Sequence, residues 1–265
     1  MYNESISFRR NPFSPTPDPA FLFLTEQHRE ALAGLTCAIV QRRGLTVLTG
    51  DAGTGKTTLL ARVLQFLPAS QLQFSVILNT TLTPSEFPKL ALMDFGVTDV
   101  ASSKAQRLCK LRNLLLQGQR EGKVSALIVD QAHKLSPEVL EEIGRLGDSE
   151  ESEQKSLPIL LVGQSELDGI LNRENLRPLK QRISLRLSLA PLAPTQVGEY
   201  IGHRWRRAGG TEHPFSTKAV EYVACASGGN PRAINALCDQ ALMSAFAERS
   251  LRVQCRHVRE ARITS

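Results

Sequence analysis

Hydrophobic positions follow two alternating periods along the first 190 residues. Runs that are apolar almost throughout, LTVLTG (45–50), FSVILN (74–79), SALIVD (125–130) and LPILLVG (157–163), read as short buried strands, and ISLRLSL (183–189) adds a fifth by its alternation. Helical spacing fills the intervals. Thr25 is a candidate N-cap for a helix with apolar residues at Ala31, Leu32, Leu35, Ile39 and Val40, and Pro68 ends a helix through TTLLARVLQFL. Thr83 is a candidate cap for the next helical segment, in which Pro88 threatens the first turn; residues 103–120 form another helix, and Ser136-Pro137 opens one through LEEIGRL. Strand and helix alternate from 45 to 189, which predicts an α/β domain with a five-stranded parallel sheet covered on both faces.

Beyond Pro191 and Pro194 the strand pattern stops. Helices alone are expected, at about 195–208, 216–227 and 231–248, with a short last one from His257. The expected division is therefore residues 1–190 as the α/β domain and 191–265 as an all-helical lid. Pro12, Pro15, Pro17 and Pro19 keep residues 1–20 out of regular structure, as an extended arm anchored by Phe8, Phe13, Phe21 and Phe23. DSEESEQ (148–154) reads as a solvated loop.

Composition narrows the class. The 265 residues are 42% hydrophobic and 22% charged, so the chain can bury a sizeable core. A net charge of +6 permits acidic partners and demands none. Five scattered cysteines without a C-x-x-C pair read as reduced thiols, not as a disulfide framework or a zinc site. No apolar run approaches the ~20 residues of a membrane span, and no apolar stretch follows the early arginines, so a cytoplasmic location is expected.

One motif carries the chemistry. GDAGTGKT (50–57) matches G-x-x-x-x-G-K-[ST] in full and lies between a strand and a helix, the context of a P-loop. Gly50, Asp51, Ala52, Gly53, Thr54 and Gly55 would turn backbone amides toward phosphates, with Lys56 on the β- and γ-phosphates, Thr57 on Mg²⁺, and Thr58 completing the segment that holds ATP. Asp130, at the end of an apolar strand, is the expected second Mg²⁺ residue, a Walker B pattern. Gln131 follows it. An amide orients water but takes no proton from it. His133 offers a substitute base, although a plain loop histidine is the simpler reading. Gln164 ends the fourth strand, either as a sensor of the γ-phosphate or as a strand-end cap. Arg182, then Arg177, in ENLRPLKQRI (174–183) are candidates for an arginine finger toward a neighbouring subunit, against a solvated helix face. SGGNPRAIN (227–235) puts Arg232 in the first turn of a lid helix, where it can reach the β- and γ-phosphates. Arg249, Arg252, Arg256, Arg259 and Arg262 would make a basic stripe on one helix, but Leu251, Val253 and Val258 suggest a break.

The strings NPFSPTPDPAFLFLTEQHREAL, GDAGTGKTTLL, LIVDQAHKLSPEVLEEI, LVGQSEL, LKQRI and GGNPRAINALCDQAL, in this order, resemble the ExeA-like AAA+ ATPases, the general secretion pathway protein A family. The resemblance spans nearly the whole chain. It implies an ATPase that assists assembly of an envelope secretion or pilus-type system, acts as a ring or filament, and engages a secretion-system protein. By the same resemblance Lys56 and Thr57 are the Walker A pair, Asp130 the Walker B aspartate, Gln164 sensor 1 and Arg232 sensor 2, and the arm is the signature beside the nucleotide. Two departures stand out. The family's D-E-A-Q is D-Q-A-H at 130–133, which points to slow or negligible hydrolysis. The sequence also stops at Ser265 without the membrane helix and periplasmic region of secretion members, as a piece of a longer member or a stand-alone one would. Related transposition ATPases make DNA a weaker alternative partner, which the pI of 9.2 mildly favours.

Overall fold

Each apolar run of the sequence forms a strand in the computed structural model, which describes residues 10–68, 72–78, 82–99, 103–146, 157–250 and 252–263. The arm's Phe8 and the acidic run 148–154 lie outside the described residues. The strands are β1 (Leu45–Gly50), β2 (Leu72–Ile77), β3 (Val124–Val129), β4 (Ile159–Val162) and β5 (Ile183–Leu189), all parallel in the order β2-β3-β4-β1-β5. The central strands β1 and β4 are buried at every position, whereas the edge strands β2 and β5 alternate in exposure. A parallel strand flanked by neighbours and covered on both faces is apolar nearly throughout, with Thr46 and Thr49 the buried polar positions of β1, and an edge strand need not be.

Among the described residues, contacts divide the chain into two compact units. One comprises Arg29–Gly50 and Arg62–Leu189, and the other Met1–His28, Asp51–Ala61 and Ala190–Ser265. The arm and the segment after β1 thus group with the C-terminal helices. In the first unit, helices α3 (Phe87–Asp94), α4 (Lys104–Arg120), α5 (Pro137–Leu146), α6 (Glu166–Leu171) and α7 (Arg177–Arg182) share one apolar core with the strands. Its core contains Val47, Phe87, Leu92, Val129, Leu140, Ile143, Leu161 and Leu179. Pro88 sits at the start of α3 and opens the helix, a position where the missing N–H costs nothing. Helices α1 (Glu26–Val40) and α2 (Lys56–Phe66) run from one unit into the other.

The second unit is built on α8 (Pro194–Ala208), α9 (Thr217–Ser227), α10 (Pro231–Ala247) and α11 (Cys255–Ile263). The arm is sewn into their core. Phe13 is buried and meets Phe215 edge-on at 6.1 Å, and Phe23 meets Tyr200 in the same way. Buried Arg204 donates to the Pro12 carbonyl and lies over the Phe21 ring at 4.9 Å. α10 ends before Arg249, which adopts a positive φ of 54°, and α11 begins only at Cys255, so the five tail arginines do not share one helix: Arg256, Arg259 and Arg262 lie on α11, and Arg249 and Arg252 precede it. None of the helices among the described residues is long and apolar enough to cross a membrane.

Candidate nucleotide site

Parallel pairing puts the ends of β1, β3 and β4 on one edge of the sheet, and with them Gly50, Asp130 and Gln164. The chain leaving β1 crosses to β2 beyond β3 and β4, while the chain leaving β4 crosses β1 to reach β5. Connections that diverge in this way open a crevice at the carboxyl ends of the strands, where ligands of open α/β sheets bind.

Asp130 is 9% exposed and accepts from the backbone N–H of Gln131 at 2.7 Å. Gln131 is left-handed (φ 55°, ψ 33°), and its Oε1 accepts from the Lys134 ammonium at 2.6 Å. Two residues on, His133 Nδ1 accepts from the Gln164 N–H at 3.2 Å. The loop after β3 is thereby tied to the end of β4. Arg182, at the end of α7, precedes β5 and so lies toward the opposite edge of the sheet from Asp130 and Gln164.

The P-loop follows β1 directly. Gly53 and Gly55 take φ of 87° and 98°, which side chains rarely adopt. Lys56 folds back so that Nζ donates to the Asp51 carbonyl at 2.8 Å, and the Thr54 hydroxyl donates to the same carbonyl at 2.9 Å. Arg232 belongs to the same unit: its Cβ is 2.7 Å from where a Cβ on Gly53 would stand. Lys56 and Thr57 begin α2, so the positive end of that helix faces whatever the loop holds. Turned amides, a helix start and two nearby cations suit a polyphosphate anion, and the residues present fit that group.

Two contributors escaped the sequence reading. His28, on the first turn of α1, is 4% exposed; Nδ1 lies 2.7 Å from the Thr25 hydroxyl, and the ring bonds the Thr54 backbone. Burial holds its pKa below the ordinary imidazole value, while the Thr54 bond opposes that shift. Thr25 also accepts from the His28 N–H, so the predicted cap orients the histidine. The second is Asn230, whose Nδ2 donates to the Ala52 carbonyl at 2.7 Å. Its position before Pro231 at a helix start was legible as a cap, but its reach to residue 52 was not.

A protein-family model described as the AAA domain matches residues 39–171. Over 254 residues, 96% of this chain, the sequence is 37% identical to general secretion pathway protein A of Aeromonas hydrophila; the chain spans 46% of that relative, less than half its length. Among solved structures, the ORC2 protein of Aeropyrum pernix in ADPNP–ADP complexes has a TM-score of 0.73 at 17% identity, covering 96% of this chain and 71% of that one. Cdc6p of Pyrobaculum aerophilum gives 0.72 at 17%, covering 94% and 69%. The RuvB Holliday junction branch migration motor of Thermotoga maritima gives 0.60 at 20%, covering 90% and 68%. Identities this low speak to the fold, an α/β P-loop fold with a helical C-terminal region. The family match takes in half of the 265 residues, including the P-loop and Asp130, and the chain belongs to the AAA domain family.

Proposed function

We propose that the chain binds Mg-ATP through Gly50–Thr58, hydrolyses it slowly, and assists assembly of an envelope secretion or pilus-type system through nucleotide-dependent oligomerisation. The observation that carries the nucleotide reading is the P-loop itself, with two left-handed glycines and with Lys56 and Arg232 beside them. Lys56 would neutralise the β- and γ-phosphates, and Arg232 would report their presence to α10. Thr57 and Asp130 would hold Mg²⁺, whose charge offsets that of the phosphates. Gln164 would sense the γ-phosphate, and Arg182 would serve a neighbouring copy.

Slow turnover follows from the loop after β3. The Gln131 amide has no proton affinity to offer a water, and its oxygen is engaged by Lys134. His133 uses the Nδ1 lone pair on the Gln164 N–H, which leaves the neutral ring's proton on Nε2. In that tautomer it orients a neighbour and cannot act as a base. The system reading rests on the 37% identity to general secretion pathway protein A.

Calorimetric titration with Mg-ATP tests the core claim. Lys56→Ala is expected to weaken binding at least about tenfold, the scale of a lost hydrogen bond to a charged group; equal affinity in both proteins would refute it. Light scattering with and without nucleotide tests assembly, and loss of protein export on deleting the gene tests the system. A duplex-DNA reading gains little from the tail: Arg256 pairs with Glu248 at 2.6 Å, and Arg259 lies over the Tyr222 ring at 5.5 Å. Salt-sensitive gel shifts with random duplex would revive it.

A further inference from the structure

The turn SGGNPR delivers one side chain to the P-loop in a single orientation. Gly228 and Gly229 both take positive φ, 57° and 75°. A Cβ on Gly229 would stand 2.0 Å from the Leu192 carbonyl oxygen, so only glycine fits. The Leu192 N–H donates to the Gly229 carbonyl at 2.9 Å, and the Ser227 hydroxyl accepts from the Gly229 N–H at 3.2 Å. The backbone reaches Asn230 already fixed on both sides.

Both ends of the Asn230 amide are then used. Oδ1 caps α10, accepting from Arg232 N–H at 3.0 Å and Ala233 N–H at 3.4 Å, and Nδ2 donates to the Ala52 carbonyl at 2.7 Å. Gly53 has no side chain to obstruct this approach, for a Cβ there would lie 2.5 Å from Oδ1. Across a trans peptide the carbonyl and the next N–H point opposite ways. Holding the Ala52 oxygen therefore sets the direction of the Gly53 N–H, one of the amides of the phosphate cradle.

We propose that Asn230 is a positioning residue of the nucleotide site: one side-chain amide presets the Ala52–Gly53 peptide and locks it to the helix start that carries Arg232. Cradle and arginine are assembled before nucleotide arrives, and a shift of either is transmitted to the other. The inference deepens the ATP-binding reading and rests on it for its effect on affinity.

Asn230→Ser separates this role from helix capping, because serine still caps but is too short to cap and also reach Ala52. In the wild type and the variant, hydrogen–deuterium exchange without nucleotide and calorimetric Mg-ATP affinity are measured together with melting. The expected result is faster exchange at residues 52–56, unchanged exchange inside α10, a melting temperature lowered by no more than about 2–4 °C, and affinity lower by about three- to tenfold, the scale of one net hydrogen bond. Exchange at 52–56 equal to wild type, with affinity within twofold, would overturn the proposal, as would loss of protection along all of α10. If the wild type itself fails to bind ATP, the nucleotide reading falls, and the exchange comparison still decides whether Asn230 holds the loop.

Discussion

Restoring a carboxylate at position 131 probes why turnover should be slow. Gln131→Glu is isosteric and keeps the same left-handed backbone, so the geometry after β3 is retained. A positioned general base contributes about 10²–10⁴-fold, and that is the upper bound of the gain. The Lys134 ammonium, 2.6 Å from the present Oε1, would pair with the new carboxylate and make it a poorer base. Both side chains are exposed, and an exposed pair is worth about 0.2–1 kcal/mol, or about 1.4- to 5-fold. Gln131→Glu alone should therefore raise kcat at least about tenfold, and adding Lys134→Met should raise it by about 1.4- to 5-fold more. Phosphate release at saturating Mg-ATP measures both steps. Unchanged kcat in Gln131→Glu, with ATP binding retained, would mean that water is activated elsewhere. A second substitution without effect would remove Lys134 from the account.

Arg182→Ala should leave ATP affinity intact and lower turnover or nucleotide-dependent assembly; undiminished activity of the oligomer would retire it as the finger. Stability should fall in mild acid. The pKa of His28 is depressed chiefly by burial, and that of His203 by burial and then by Arg207, Arg206 and Arg204. The unfolded chain then binds more protons below the ordinary imidazole value of about 6.5. Stability is accordingly complete above that pH and is lost as pH falls through the folded-state values. Melting temperatures from pH 7.5 to 5.5 should decline, and His28→Gln should flatten part of the slope; an identical slope in the variant would clear His28 of the effect.

Legibility followed the range of the interactions. The P-loop, the strands and the C-terminal helices were readable because each rests on neighbours in sequence: an apolar period, a proline, a glycine where φ is positive. Lys134 stands only three residues from Gln131, yet their bond depends on a left-handed turn that a glutamine does not announce.

By itself, then, the chain's order of residues determined an AAA-type P-loop, a five-stranded α/β unit and a helical segment, since short-range backbone preferences and hydrophobic periods dictate these. Tertiary structure decided strand order, the grouping of Asp51–Ala61 with arm and helices, and the partners of the site residues. The Asn230–Ala52 bond joins residues 178 positions apart, and the His133–Gln164 bond spans 31. No local propensity encodes such a meeting; it exists only once packing has brought two distant backbones within hydrogen-bond reach.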